Sequence, residues 1–263
     1  MSSRDRQLDR SSEESSLCER VSFEAPADYS RAKVEVPLVY QRKKGLRRLR
    51  MGFDYENRLI VSVPWNCPQR EAEEFVRNHR GWVEEQAARL SPVLTLREHL
   101  SHCPTIAIGG QSVVVEVRNV ASGRSQWIYD EKRGEGIFMI RAQSEGEDLP
   151  LRKLFRKVAT IALSDRVGEL AAVHGFNPGR VTVRDQKSRW GSCSRNRTIS
   201  LNWRLLLFSP GAQDHVILHE LAHLRHLDHS ANFHRLLSEL DPRRAEFEAE
   251  LNRDGAQLMR VDR

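Results

Sequence analysis

Hydrophobic order begins at about Val34. Residues 1–32 are rich in Ser, Glu and Arg and carry almost no apolar periodicity, which predicts a disordered tail. Beyond them "VEVPLVYQR" partly alternates. "RRLRMGFDYENRLIVSVP" reads as two strands around a turn at Glu56-Asn57. In "CPQREAEEFVRNHRGWVEEQAARL" the apolar positions Phe75, Val76, Trp82, Val83 and Leu90 recur at helical spacing, with Pro68 near the first turn, so one amphipathic helix is expected. "TIAIGGQSVVVEVRN" and "SQWIYDEKRGEGIFMIRA" predict two hairpins, turning at Gly109-Gly110 and between Gly134 and Gly136. The polar stretch "QSEGEDLP", 143–150, is the best internal boundary.

The second half has a different rhythm. Residues 151–174 predict a helix with Leu154, Val158, Ile161, Ala162 and Leu170 toward a core. "RVTVRDQ" is a short strand, "SRWGSCSRNR" a loop and "TISLNWRLLL" a second strand. Pro210-Gly211 leads into another helix, and a last one is expected to start at Asp241-Pro242. The expected class is α+β. A β-rich region with one helix, 33–145, precedes a domain at 150–258 built of a helix, a small antiparallel sheet and a second helix that carries His215, His219 and His223.

Composition narrows the picture modestly. Of 263 residues, 39% are hydrophobic and 30% charged, enough for a core under a well-solvated surface. No apolar run is long enough to span a bilayer, and the N-terminus lacks the apolar segment of a secretory signal, so a cytoplasmic protein without membrane contact is expected. Cys18, Cys67, Cys103 and Cys193 are far apart, which argues against a Cys-based zinc site and a disulfide framework. The net charge of +6 leaves room for phosphate-bearing partners, nucleic acid included, and equally for scattered surface Arg.

The chemistry concentrates in "HELAHLRHLDH", 219–229. His219 and His223 lie one helical turn apart, about 6 Å along the axis, so two imidazoles can reach one ion. Glu220 follows the first His and can face the same cleft without ligating, where it could take a proton from a metal-bound water. This is the H-E-x-x-H arrangement of zinc hydrolases. A third ligand must complete it, and His229 is the candidate. On a straight helix it would sit about 15 Å beyond His219, so the helix has to end between 223 and 229. Asp228 is the expected turning residue, with Ser230 capping a new helix, "ANFHRLLSEL". His226 competes weakly. His215 is expected to be exposed or capping, and His234 to pack or lie on the surface. Glu239 or Glu246 could instead supply a carboxylate ligand.

"QKSRWGSCS" adds a second signal. Gly191 and Ser192 imply close backbone approach beside a core Trp190. Lys187, Arg189, Trp190, Gly191 and Ser192 are the candidate substrate-binding residues, and an edge here could pair with an extended peptide.

Taken together, "RDQKSRWGSCS", "ISLNWRLL" and "HELAHLRHLDHSANF", with "LRMGFDYENRLIVSVP" and "FVRNHRGWV" upstream, resemble the YgjP-like metallopeptidase domain, related to the SprT-like zinc peptidases, over about residues 35–245. The resemblance implies a zincin-like catalytic domain with Zn2+ on His219, His223 and His229 and Glu220 as general base. One position departs: Phe233-His234 stands where the family has Phe-Trp. The expected function is hydrolysis of a peptide or protein substrate. A nucleotide pyrophosphatase using the same metal is the alternative, motivated by Arg184, Lys187, Arg189 and Arg195. A non-enzymatic DNA- or protein-binding module with structural zinc is disfavoured, because a structural site has no use for Glu220.

Overall fold

The computed structural model describes residues 17–24, 33–90, 92–141 and 148–263. Two compact units divide at Pro92 and Val93. In the first, four strands lie in the order β1-β2-β4-β3, with β1 Leu17–Glu24, β2 Lys33–Lys43, β3 Arg50–Phe53 and β4 Leu59–Pro64. Asp54 shapes the β3–β4 turn by accepting from the backbone N–H groups of Glu56 and Arg58 at 2.9 Å each, and Asn57 takes the left-handed conformation there. Strand β4 alternates buried and half-buried positions and presents Leu59, Val61 and Val63 to a small core. Two helices, α1 Gln69–Asn78 and α2 Arg80–Ala88, supply Ala72, Val76 and Val83 to it. The single helix expected here is broken at His79, which leaves helical geometry (φ −111°) and whose Nδ1 lies 2.8 Å from the carbonyl oxygen of Phe75. The expected disordered tail, 1–32, lies outside the described residues except for 17–24, which pair with β2.

The second unit begins with α3 Leu96–His102, closed at its start by a reciprocal Thr95–Glu98 capping box. A four-stranded sheet comes next, in the order β5-β6-β8-β7, from β5 Thr105–Ile108, β6 Gln111–Val120, β7 Gln126–Asp130 and β8 Glu135–Arg141. Both hairpins form, the first at the expected Gly109-Gly110 turn. The second turns at 131–134, just before the expected segment, since Glu135 and Gly136 already pair with Asp130 and Tyr129. Strands β6 and β8 join the hairpins in parallel. The long helix α4, Leu149–His174, packs on this sheet and ends at Gly175 in the left-handed conformation (φ 67°). Its buried stripe runs Leu151, Phe155, Val158, Leu163, Val167, Leu170. Ile161, expected on that stripe, is 55% exposed.

An aromatic ladder joins this sheet to the histidine-bearing half of the chain. Trp127 packs tilted on Phe138 (4.4 Å between centroids), Phe138 stacks on Phe155 (5.5 Å) and Phe155 meets Trp203 edge-on (5.6 Å). The boundary expected near 145 is therefore corrected: strands β5–β8 share one core with the histidine-bearing segment, and the division falls at 92/93. The proposed linker, 143–150, lies outside the described residues up to 147.

Beyond α4, β9 Arg180–Arg184, β10 Gly191–Cys193 and β11 Thr198–Asn202 form a small sheet in the order β10-β11-β9. It is mixed rather than antiparallel: β9 and β11 are parallel, while β10 adds as a hairpin on the other side of β11. Gly191–Cys193, read as loop, is thus a strand. Its hairpin closes through Arg197, in the left-handed region, whose N–H donates to the carbonyl of Ser194 at 2.9 Å. The strand expected to run through Leu207 stops at Asn202, whose side-chain oxygen accepts from the N–H of Arg204 and starts a 3-10 helix, Trp203–Leu207. Three helices complete the chain: α5 Pro210–Ala222, α6 Ala231–Leu240 and α7 Arg244–Leu258. The last starts two residues after Pro242, with Asp241 Oδ1 accepting from the N–H of Arg243 at 3.2 Å. No helix among the described residues is long and apolar enough to cross a membrane.

Candidate functional site

Helix α5 is buried on nearly every side, from Ala212 through Ala222. Ser209 caps it, accepting from the N–H of Ala212 at 3.2 Å. Glu250 of α7 holds that cap, taking the Ser209 N–H at 2.9 Å and its hydroxyl at 2.6 Å. A helix so fixed sets the direction of His219 and Glu220 through its backbone, and no loop has to place them.

The helix does end at His223. Successive N–H bonds from Leu224 to Leu221 and from Arg225 to Ala222, 3.0 Å each, tighten the last turn into 3-10 geometry. None of residues 223–229 is left-handed, so Asp228 is not a left-handed turning residue. It is exposed, and its carboxylate accepts from Ser230, which holds it below the usual range. The Nδ1 of His223 donates to the carbonyl of His226 at 2.9 Å. A carbonyl can only accept, so this bond puts the proton on Nδ1 and leaves Nε2 with its lone pair. His226 thus acts through its backbone and lies outside the cluster.

His229 returns from the turn to face His219, Nε2 to Nε2 at 3.2 Å. Each of His219, His223 and His229 offers a ring nitrogen within 4.8 Å of the others, and they are the group in the described residues that could hold a metal ion. Two nitrogens bound to one ion at 2.0–2.1 Å in tetrahedral array would lie about 3.3 Å apart, close to the His219–His229 spacing. Phe233 backs all three rings, at 4.6–5.0 Å between centroids. Burial pushes His219 down to about 4, helped by the neighbouring imidazoles, and burial also lowers His223. Both are neutral at physiological pH, as a metal ligand must be. The carboxylate alternatives fall away: Glu239 and Glu246 are exposed, and Glu246 is paired with Arg243 at 2.7 Å. His234 is exposed.

Glu220 is buried, its Oε2 has no hydrogen-bond partner among the described residues, and burial pushes its carboxyl up to about 8 against a lowering by Arg189. Gly191 of β10 lies against it. A Cβ at that position would sit 2.5 Å from Glu220 Oε1, so any side chain there would displace the carboxylate. The close approach read from the sequence is therefore between Gly191 and Glu220.

A cleft of about 480 Å3 opens beside these groups, walled by Trp190 and Gly191, by His215, Val216, His219 and Glu220 of α5, and by Glu248, Leu251 and Asn252 of α7. Trp190 is half-buried, edge-on to Phe208 at 4.8 Å. Of the other candidate substrate-binding residues, Arg189 is exposed within electrostatic reach of Glu220, Lys187 is exposed away from the lining, and Ser192 pairs with Ser200 of β11. Two residues escaped the sequence reading. His215, expected at the surface, is buried on the cleft wall, with Nδ1 2.7 Å from Asp241 Oδ2. Asn202, fully buried, donates to the carbonyls of Gln186 and Arg189 at 3.0 and 3.4 Å and accounts for the shape of the 186–190 loop. Only the i, i+4 spacing of His215 and His219 hinted at the first, and nothing local hinted at the second.

Three imidazoles converging beside a buried carboxylate, in a mixed α+β unit, are the arrangement of metal-dependent hydrolases. The chain belongs to the YgjP-like metallopeptidase domain family, whose profile matches residues 47–254. Comparison with curated proteins found no match.

Proposed function

We propose that this chain is a zinc metallopeptidase of zincin-like design, with His219, His223 and His229 as ligands and Glu220 as general base. Three imidazole nitrogen donors suit zinc and leave a coordination position open, the pattern of a catalytic rather than a structural site. When bound, the ion supplies Lewis-acid polarisation of the scissile carbonyl and acidifies water. Glu220 removes a proton from the attacking water and delivers it to the leaving amine. Its unpartnered oxygen is free to do so, and a divalent charge nearby offsets the rise that burial imposes on its pKa. Asp241 occupies Nδ1 of His215, so Nε2 is the ring nitrogen left for a substrate group in the cleft. Strand β10 is at a sheet edge, where an extended peptide can add as a further strand, with Arg189, Trp190 and Ser192 along its path and Lys187 at the margin.

The observation that carries the peptide reading is the lining of the cleft. It contains Glu220 and Glu248 and, among the described residues, no Lys or Arg. A phosphoanhydride substrate would bring several negative charges against those two carboxylates, with Arg189 outside the lining as the cation within electrostatic reach of Glu220. The test is to offer a quenched peptide library and nucleoside triphosphates, side by side, to the parent and to Glu220→Gln. Peptide cleavage by the parent, reduced about 100-fold or more in the variant at unchanged zinc content, is the expected outcome. Phosphate release from nucleotides that disappears in Glu220→Gln, with no peptide cleaved, would replace the peptidase by a phosphohydrolase.

A further inference from the structure

The first unit carries a charged surface that the hydrolytic site does not use. From Val36 to Phe53 the chain has no acidic residue, while Arg42, Lys43, Lys44, Arg47, Arg48 and Arg50 supply six cations. The strand register gathers them. Lys43 of β2 lies beside Pro64, and Arg50 of β3 beside Ser62, so the 44–49 connection passes over the C-terminal end of β4, where Trp65 emerges. Arg42 fixes this corner by donating to the carbonyls of Trp65 and Cys67 at 3.0 and 2.7 Å. The other five cations are exposed and form no ion pair with a described residue. Trp65 is 51% exposed among them, with Lys44 Nζ 5.2 Å from its ring centroid.

We propose that this corner binds single-stranded nucleic acid, the cations taking phosphates and the Trp65 indole stacking on a base. Both parts of the ligand are called for by what is present: a cluster of unneutralised charge for a polyanion, and a flat, half-open aromatic face for a nucleobase. An anionic membrane surface would satisfy the charge as well. It would also draw on a broad apolar face able to enter the acyl boundary, and Trp65 is the one large apolar side chain that the described residues of this corner expose. The patch lies outside the metal centre, so binding here is independent of the hydrolytic reading.

The experiment is fluorescence anisotropy of labelled 20-nucleotide dT and U strands with the full chain, across a salt series, alongside vesicles containing phosphatidylserine. The parent is expected to bind both strands, with affinity falling steeply as salt rises. Replacing Lys43, Lys44, Arg47 and Arg48 together by Ala is expected to flatten the salt slope by about 0.7 for each phosphate no longer neutralised. Trp65→Ala is expected to weaken binding about 5- to 150-fold at an unchanged slope. Trp65→Phe restores most of it, which separates stacking from damage to the fold, and Glu220→Gln binds like the parent. No binding at low salt, or binding that survives both the four-fold variant and Trp65→Ala, overturns the proposal. So does binding to vesicles but not to either strand.

Discussion

His219 and Glu220 are neighbours in sequence that burial drives in opposite directions, and this has a measurable consequence in the metal-free protein. Folding holds His219 at about 4 against an ordinary 6.5, so the unfolded chain binds the extra proton and stability falls as pH drops from 6.5 toward 4. Folding holds Glu220 at about 8 against an ordinary 4.5, so the folded chain keeps a proton that the unfolded one releases, and stability falls as pH rises from 4.5 to 8. The two slopes oppose each other between 4.5 and 6.5, and above 6.5 Glu220 acts alone. In chelator-treated protein, Tm of Glu220→Gln is therefore expected to pull ahead of the parent's as pH rises from 6.5 to 8. Parallel profiles would mean that Glu220 is ionised in the folded state without metal. At this scale the sequence was most legible: the i, i+4 pair and the intervening glutamate follow from helical spacing alone. His215 was misread because its partner, Asp241, is 26 residues away and nothing local announces the pair.

At the scale of elements, the site depends on where segments stop. His229 reaches its partners because α5 tightens and ends at His223, and the need for such an ending could be read from the spacing of the histidines. How it ends could not, since the bond from His223 to the His226 carbonyl replaces the left-handed residue expected at Asp228. The wall opposite α5 depends on another ending. Asn202 terminates β11, starts the 3-10 helix and ties down the carbonyls of Gln186 and Arg189. Its long-range bonds have no signature in "ISLNW", where it reads as one more strand residue. Asn202→Ala would leave the Arg189 carbonyl without this donor, at about 1–3 kcal/mol, while the Gln186 carbonyl keeps Arg263, and would loosen the loop that carries Trp190 to Gly191. Both a lower Tm and weaker turnover at full metal content are expected. Unchanged turnover at lowered Tm would show that the loop holds its shape without Asn202.

For the whole molecule, the positions of the strands were mostly readable from alternation, but their allegiance was not. Alternation identifies a buried face without saying what buries it. The ladder from Trp127 through Phe138 and Phe155 to Trp203 assigns β5–β8 to the unit with the metal centre. A fragment of residues 93–263 contains that whole core and is expected to unfold cooperatively, whereas 150–263 would expose Phe155 and is expected to fail, as judged by circular dichroism on heating. Equal cooperativity of the two fragments would contradict this division. The central claim, that one ion on three histidines is required for hydrolysis, is met most directly by stripping the full chain of metal and titrating zinc back while monitoring cleavage of a peptide substrate. Turnover is expected to be absent at the start, to rise linearly and to saturate at about one equivalent per chain. Full turnover in the stripped protein, or none at any loading, would contradict it.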